Sequence, residues 1–189
     1  MRKIIAIVLF SLSLFCLCCG FKKDYIPKGD YEIKIESNDP RIERALSSVP
    51  EKYQDILLGN GWRILVTTEP LESKMLGRLA GLTVEEEKTI YIGQRNADIN
   101  RALIHEIGHA VAIINKNIDC TEEFKEIYLS EKDGFKTSNS IYDGHETSNE
   151  REYFAECFRE YILNPENLKR SCSRTYEYID AIDRSVDSL

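Results

Sequence analysis

No apolar run in this chain is as long as the roughly 20 residues that a membrane-spanning helix requires, which argues against a permanent anchor. Basic residues are in the minority, 25 Lys and Arg against 32 Asp and Glu. Affinity for phosphates depends on clustered Lys and Arg, so nucleic acid is not an expected partner. There is no internal repeat and no low-complexity segment. Beyond residue 19 the only cysteines are Cys120, Cys157 and Cys172. None has the CxxC spacing of a zinc ribbon or a redox site, and an odd number cannot all pair, so buried thiols or a single bridge are expected. Histidine is equally scarce, with three residues in 189, and two of them share one five-residue stretch.

What is present begins with an export signal. Arg2 and Lys3 form a positive start, Ile4 to Leu17 is an almost unbroken apolar run, and Cys18, Cys19 and Gly20 follow. This is the layout of a secretory signal. The cysteines at its end also resemble the acylation site of a bacterial lipoprotein, although Cys16 and Leu17 stand where such sites carry small residues. The expected organisation is a signal over residues 1–19, a linker over 20–30 rich in charge with Pro27 and Gly29, and one domain over 31–189. Without Arg2 and Lys3 the basic count is 23 and the net charge near −9. The protein is then expected outside the cytoplasmic membrane, released or held by a lipid, as a monomer.

Along the domain, Tyr31 to Ile35 alternates as a short strand does. Asp39 and Pro40 open a helix through Val49, a second covers Glu51 to Leu58, and Trp62 to Thr68 is β-branched and apolar enough for a buried strand. Leu76 to Leu82, with Gly77 and Gly81, reads as a loop. Thr83 to Ile92 supplies one or two strands whose acidic turn suggests a sheet edge. Helices follow over Asp98 to Lys116, Asn149 to Leu163 and Arg174 to Val186. A small sheet succeeded by helices is an α+β order.

His105, Glu106, Ile107, Gly108 and His109 form an HExxH stretch on the first of these helices. Residues four apart share a helix face, so both imidazoles can converge on one ion. Glu106 then lies close to the metal without binding it, placed to take a proton from a zinc-bound water and deliver it to a leaving amine. Leu103, Ile107, Val111 and Ile114 form the stripe that buries the helix. Gly108 costs about 1 kcal/mol relative to Ala in a helix interior, so its presence predicts close packing against another backbone.

A catalytic zinc needs a third protein ligand and an open position. The metzincin extension HExxHxxGxxH would require Gly at 112 and His at 115, where this chain has Ala112 and Asn115. The ligand must come from a later helix, and Asn149 to Phe158 (NEREYFAECF) offers two acids. Glu152 and Glu156 are four apart in an apolar setting. One carboxylate can bind the metal while the other accepts the second N–H of a ligand histidine.

HExxH followed some forty residues later by EYFAECF resembles the zinc peptidases related to the anthrax lethal factor catalytic domain, a group that includes secreted Pro-Pro endopeptidases. Tyr161, Asn164 and the stretch Leu168, Lys169, Cys172, Thr175 and Tyr176 are similar to the C-terminal part of the small secreted members. The resemblance covers residues 98 to 180 and implies a compact zincin fold with a small twisted sheet and an active-site helix. It implies one Zn²⁺ on His105, His109 and Glu152, Glu106 as general base, and Glu156 as the second helix carboxylate. Members also carry a Tyr seven residues before the ligand Glu, as an oxyanion donor. Here that position is His145, with Tyr142 three residues upstream, so either Tyr142 or His145 takes the role.

An extended peptide is the expected substrate, paired with an edge strand for which Lys88 to Ile92 (KTIYI) is the candidate. Trp62 is too far from the motif to assign. The sequence therefore points to an exported zinc metalloendopeptidase, with a zinc-binding, catalytically inactive peptide-binding lipoprotein as the alternative. Retention of Glu106 speaks for the enzyme, because zinc binding alone does not require it.

Overall fold

The computed structural model describes residues 40–73, 77–94, 98–137 and 147–186. The expected strand at Tyr31 to Ile35, the expected export signal, and Tyr142 and His145 lie outside these. Two short helices, α1 (Pro40–Leu46) and α2 (Glu51–Gly59), precede the strands β1 (Arg63–Thr67), β2 (Leu71–Ser73), β3 (Gly77–Leu79), β4 (Gly81–Val84) and β5 (Thr89–Gly93). Then come α3 (Ile99–Ile114), a 3-10 turn at Ile118–Cys120, α4 (Glu122–Glu131), α5 (Glu150–Leu163), α6 (Pro165–Ser171) and α7 (Ser173–Val186). The architecture is α+β, as the order of elements predicts.

The main sheet has the order β1-β5-β4, with β1 and β5 parallel and β4 and β5 antiparallel; β2 and β3 form a separate antiparallel pair. Two expectations are corrected here. Lys88 to Ile92 is not the edge: β5 is flanked on both sides, and among the described residues the edges of this sheet are β1 and β4. Its composition agrees, since Thr89, Ile90, Tyr91 and Ile92 are all buried, and the acidic turn that suggested an edge belongs to the hairpin before it. The stretch Leu76 to Leu82 is likewise not a plain loop, because it contains β3 and the start of β4.

Alternation divides the sheet into two faces. Ile64, Val66, Ile90 and Ile92 join the large core under the helices, whereas Leu65 and Tyr91 pack with Leu71, Leu79, Leu82 and Val84 on the opposite side. In β4, Gly81 pairs with Ile92 and Thr83 with Ile90, so these two face the helices. Trp62, unassigned by sequence, belongs to the large core.

Helix α3 starts where the Asp98 side chain accepts from the Arg101 amide, an N-cap that satisfies one otherwise orphaned donor. Its Leu103, Ile104, Ile107, Ala110, Val111 and Ala112 are buried. Helix α5 is capped by Asn149, whose side chain accepts from the amides of Arg151 and Glu152. The two helices cross at Gly108. A Cβ there would stand 2.9 Å from Ala155 Cα and 3.1 Å from its carbonyl oxygen, so the predicted close backbone approach is what the structure contains.

The C-terminal helices brace α5 from behind. The Tyr153 hydroxyl lies 3.0 Å from Thr175 Oγ1. The Glu131 carboxylate, at the end of α4, accepts from the amides of Arg174 and Thr175 and from the Thr175 hydroxyl. It thereby caps α7 from outside, using a charge favoured at a helix N-terminus. Leu168, Cys172 and Thr175 are buried. All three described cysteines are free thiols, so no bridge forms among them.

Candidate metal centre

The Gly108–Ala155 crossing decides the geometry of the site. On α3, His105 and His109 stack edge to face with ring centroids 4.9 Å apart. On α5, one turn before Ala155, Glu152 directs Oε2 between them, 3.2 Å from His105 Nε2 and 3.7 Å from His109 Nε2. Ligand atoms of these three residues all lie within 4.8 Å of one another. A tetrahedral ion with bonds of about 2.0–2.2 Å sets its ligand atoms about 3.3–3.6 Å apart. The carboxylate stands near that spacing from each imidazole, at 3.2 and 3.7 Å, and two imidazoles with a carboxylate are donors that could hold a zinc-sized ion.

Glu156, one turn after Glu152, is 1% exposed and places Oε2 3.2 Å from the other nitrogen of His105, Nδ1. The pair Glu152 and Glu156 is thus not a solvated acidic face. Behind Glu156 stands a buried polar cluster. Arg159 Nη2 donates to Glu156 Oε1 and, at 2.8 Å, to Thr137 Oγ1, and it lies 3.6 Å from Glu160 Oε1. Thr137 also accepts from Arg101 Nη2 on α3 and donates to Glu160. The guanidinium balances two buried carboxylates, as buried charges require.

Electrostatics follow from this packing. Burial opposes a charged His105, but its hydrogen bonds to Glu152 and Glu156 prevail and hold its pKa up at about 10 in the metal-free protein. Burial likewise opposes an ionised Glu152, yet His109 and His105 beside it keep its carboxyl well below the usual carboxylate range. Glu156 is lowered as well, with His105 and Arg159 outweighing the cost of burial. Without a metal, both nitrogens of His105 therefore face carboxylates as an imidazolium would.

Glu106 does not join this trio and meets β4 instead. It is 7% exposed, and the Thr83 hydroxyl lies 2.7 Å from its Oε2 and 3.0 Å from its backbone oxygen. Sequence reading missed Thr83 and its neighbour Gly81. Their signal was a Gly-x-Thr at period two, hidden because the glycine made the segment look like a loop. It also missed Asp119 on the 3-10 turn. This residue is 2% exposed, its Oδ1 meets no hydrogen-bond partner among the described residues, and burial raises its pKa against the opposing charges of Arg151 and His109.

An α+β fold in which α3 and α5 bring two imidazoles and a carboxylate to one point is the arrangement of the metallopeptidases. The profile of the family described as "Anthrax toxin lethal factor, N- and C-terminal domain" matches residues 58–182, and the chain belongs to that family. Among solved structures it is similar to the Pro-Pro endopeptidase PPEP-2 from Paenibacillus alvei. The two share 20% sequence identity and a TM-score of 0.59, over 82% of this chain and 95% of that one. That likeness establishes a common fold. A search of curated proteins finds no significant sequence match.

Proposed function

We propose that the chain is an exported zinc-dependent metalloendopeptidase, with His105, His109 and Glu152 as ligands and Glu106 as general base. One observation carries this reading. His105, His109 and Glu152 meet at ligand spacing while Glu106, the residue between them in the motif that does not join them, is held separately by Thr83. A binding site alone gives no reason for that second carboxylate to be buried and oriented.

His105, His109 and Glu152 would hold a zinc ion, which when bound would supply the Lewis acidity that makes water nucleophilic at neutral pH and polarises a carbonyl. Glu106 accepts the proton of the attacking water and returns it to the departing amine, the two duties of one general base. Glu156 holds Nδ1 of His105 and so turns Nε2 toward Glu152, fixing the tautomer that binds. Tyr142 or His145 donates a hydrogen bond to the oxyanion. Among the described residues β4 pairs only with β5, so its outer edge is where an extended peptide adds as a further strand. Cleavage between prolines, named for the structural neighbour, is the first specificity to examine.

The working unit in this reading is a monomeric domain over residues 31–189 acting outside the cytoplasmic membrane, released or lipid-anchored. No helix of the described residues is long and apolar enough to cross a membrane. The deciding experiment incubates the mature protein with a diverse peptide library that includes Pro-Pro sequences, with and without a chelator, and reads products by mass spectrometry. Cleavage that stops with the chelator and returns with zinc is expected. A zinc-loaded protein that binds peptides but yields no products would overturn the enzyme in favour of a binding protein.

A further inference from the structure

We propose that Gly81 and Thr83 on edge strand β4 form a seat that positions Glu106, so that the strand receiving the peptide also aims the base. This deepens the reading of Glu106 as general base and rests on it.

The two residues act on Glu106 in complementary ways. Thr83 grips it: a single hydroxyl lies 2.7 Å from the carboxylate Oε2 and 3.0 Å from the backbone oxygen of the same residue. Its one proton goes to either oxygen or is shared between them, and in each case Thr83 Oγ1 packs against both ends of Glu106. Gly81 makes room. A Cβ built there would stand 2.6 Å from Glu106 Cγ and 2.9 Å from Oε1, closer than side chains can approach. Successive side chains of a strand alternate between faces, so residues 81 and 83 share the face toward α3 while Leu82 and Val84 pack on the other side. The glycine therefore serves the neighbouring helix, and its backbone torsions fall in the ordinary range.

The consequence is a fixed relation between substrate and base. Strand addition uses main-chain groups along the outer edge of β4. The side chain of Thr83 leaves that edge free, because it turns toward Glu106. Thr83 is thus a positioning residue, expected to affect turnover and to leave peptide affinity alone.

The test compares Thr83→Val, which keeps the shape and loses the hydroxyl, with Thr83→Ser, which retains it, and with Gly81→Ala. Each is assayed with the fastest-cut peptide of the library, alongside Glu106→Gln. Folding is followed by circular dichroism and zinc affinity by competition with a chromophoric chelator. Thr83→Val and Gly81→Ala are expected to lower kcat about 10- to 100-fold, the scale of a misplaced reacting group. KM and zinc affinity should stay within about two-fold, as for an interaction made only in the transition state, and Thr83→Ser should retain most of the rate. A folded, zinc-loaded Thr83→Val at the parental kcat overturns the proposal, as does a Ser variant as slow as the Val variant or a loss carried by KM. If Thr83→Val does not fold, Thr83→Ala decides by the same criteria. Cleavage surviving in Glu106→Gln overturns the underlying reading instead, so the two failures are distinct.

Discussion

Gly108 and Ala155 touch backbone to backbone, with no space between them for even one methyl group. Glu152 and Glu156 flank Ala155 on α5, so this contact sets how far both carboxylates stand from His105 and His109. Gly108→Ala gains helix propensity of about 1 kcal/mol, but overpacking a core contact typically costs 1–3 kcal/mol. The variant is expected to melt earlier and, because α5 must retreat, to bind zinc more weakly. Thermal unfolding and zinc titration check the two effects separately.

Glu106→Gln should keep stoichiometric zinc and lose cleavage, because the amide fills the same seat and cannot take a proton. Glu152→Ala should lose both, since among the described residues it removes the one carboxylate that reaches both imidazoles. Metal analysis of each purified variant beside its peptide turnover separates the roles. Intact proteolysis in Glu106→Gln would refute the assignment.

Glu156→Gln keeps the volume of a buried side chain but weakens its hold on His105 Nδ1. Loss of such an outer partner typically lowers metal affinity 10- to 100-fold. Zinc competition should show a drop of that size, with turnover at saturating zinc reduced far less. A larger effect on turnover than on affinity would place Glu156 in the chemistry itself.

The zinc-free protein should show a characteristic dependence on pH. His105 is raised from 6.5 to about 10, so the stability it contributes is complete below 6.5 and is lost as pH rises through about 10. Glu152 is lowered from 4.5, so its contribution is complete above 4.5 and is lost as pH falls. The melting temperature contributed by this pair is therefore highest between about pH 4.5 and 6.5. Zinc uptake at pH 7 must displace the His105 proton. Calorimetry in buffers of different ionisation enthalpy should find about one proton released per ion.

Tyr142 and His145 are to be replaced one at a time with zinc retained. Removal of an oxyanion donor costs about 10²–10³ in rate, so one replacement should be severe and the other mild. Equal small effects would exclude both.

Helices α3 and α5 were legible in the sequence because cap, period and close-packing glycine agree. Asp98 and Asn149 mark their starts, and Gly108 announced a backbone contact that exists. The sheet was less legible. Four consecutive buried residues in β5 carry no alternation, so a charged turn beside them decided the reading wrongly. Gly81 disguised β4 as a loop, since the reason for that glycine is a side chain on α3, 25 positions further along. Helix α4 was overlooked although Thr121 caps it and Phe124, Ile127 and Tyr128 fall on one face. Its acidic composition masks the stripe. Pro165, just past the end of α5, is the first residue of α6, a short helix that the sequence periodicity does not announce.

The contact between Thr83 and Glu106 closes a span of 23 residues, whereas His105 reaches Glu152 across 47 and Glu156 across 51. Each doubling of a closed loop adds about 0.6 kcal/mol of entropic cost, so the hairpin and α3 can organise before α5 docks. In that order of assembly the chain acquires its base first and its third ligand last. Full metal affinity is then a property of the finished fold, and in the proposed reading a half-folded chain carries no working protease.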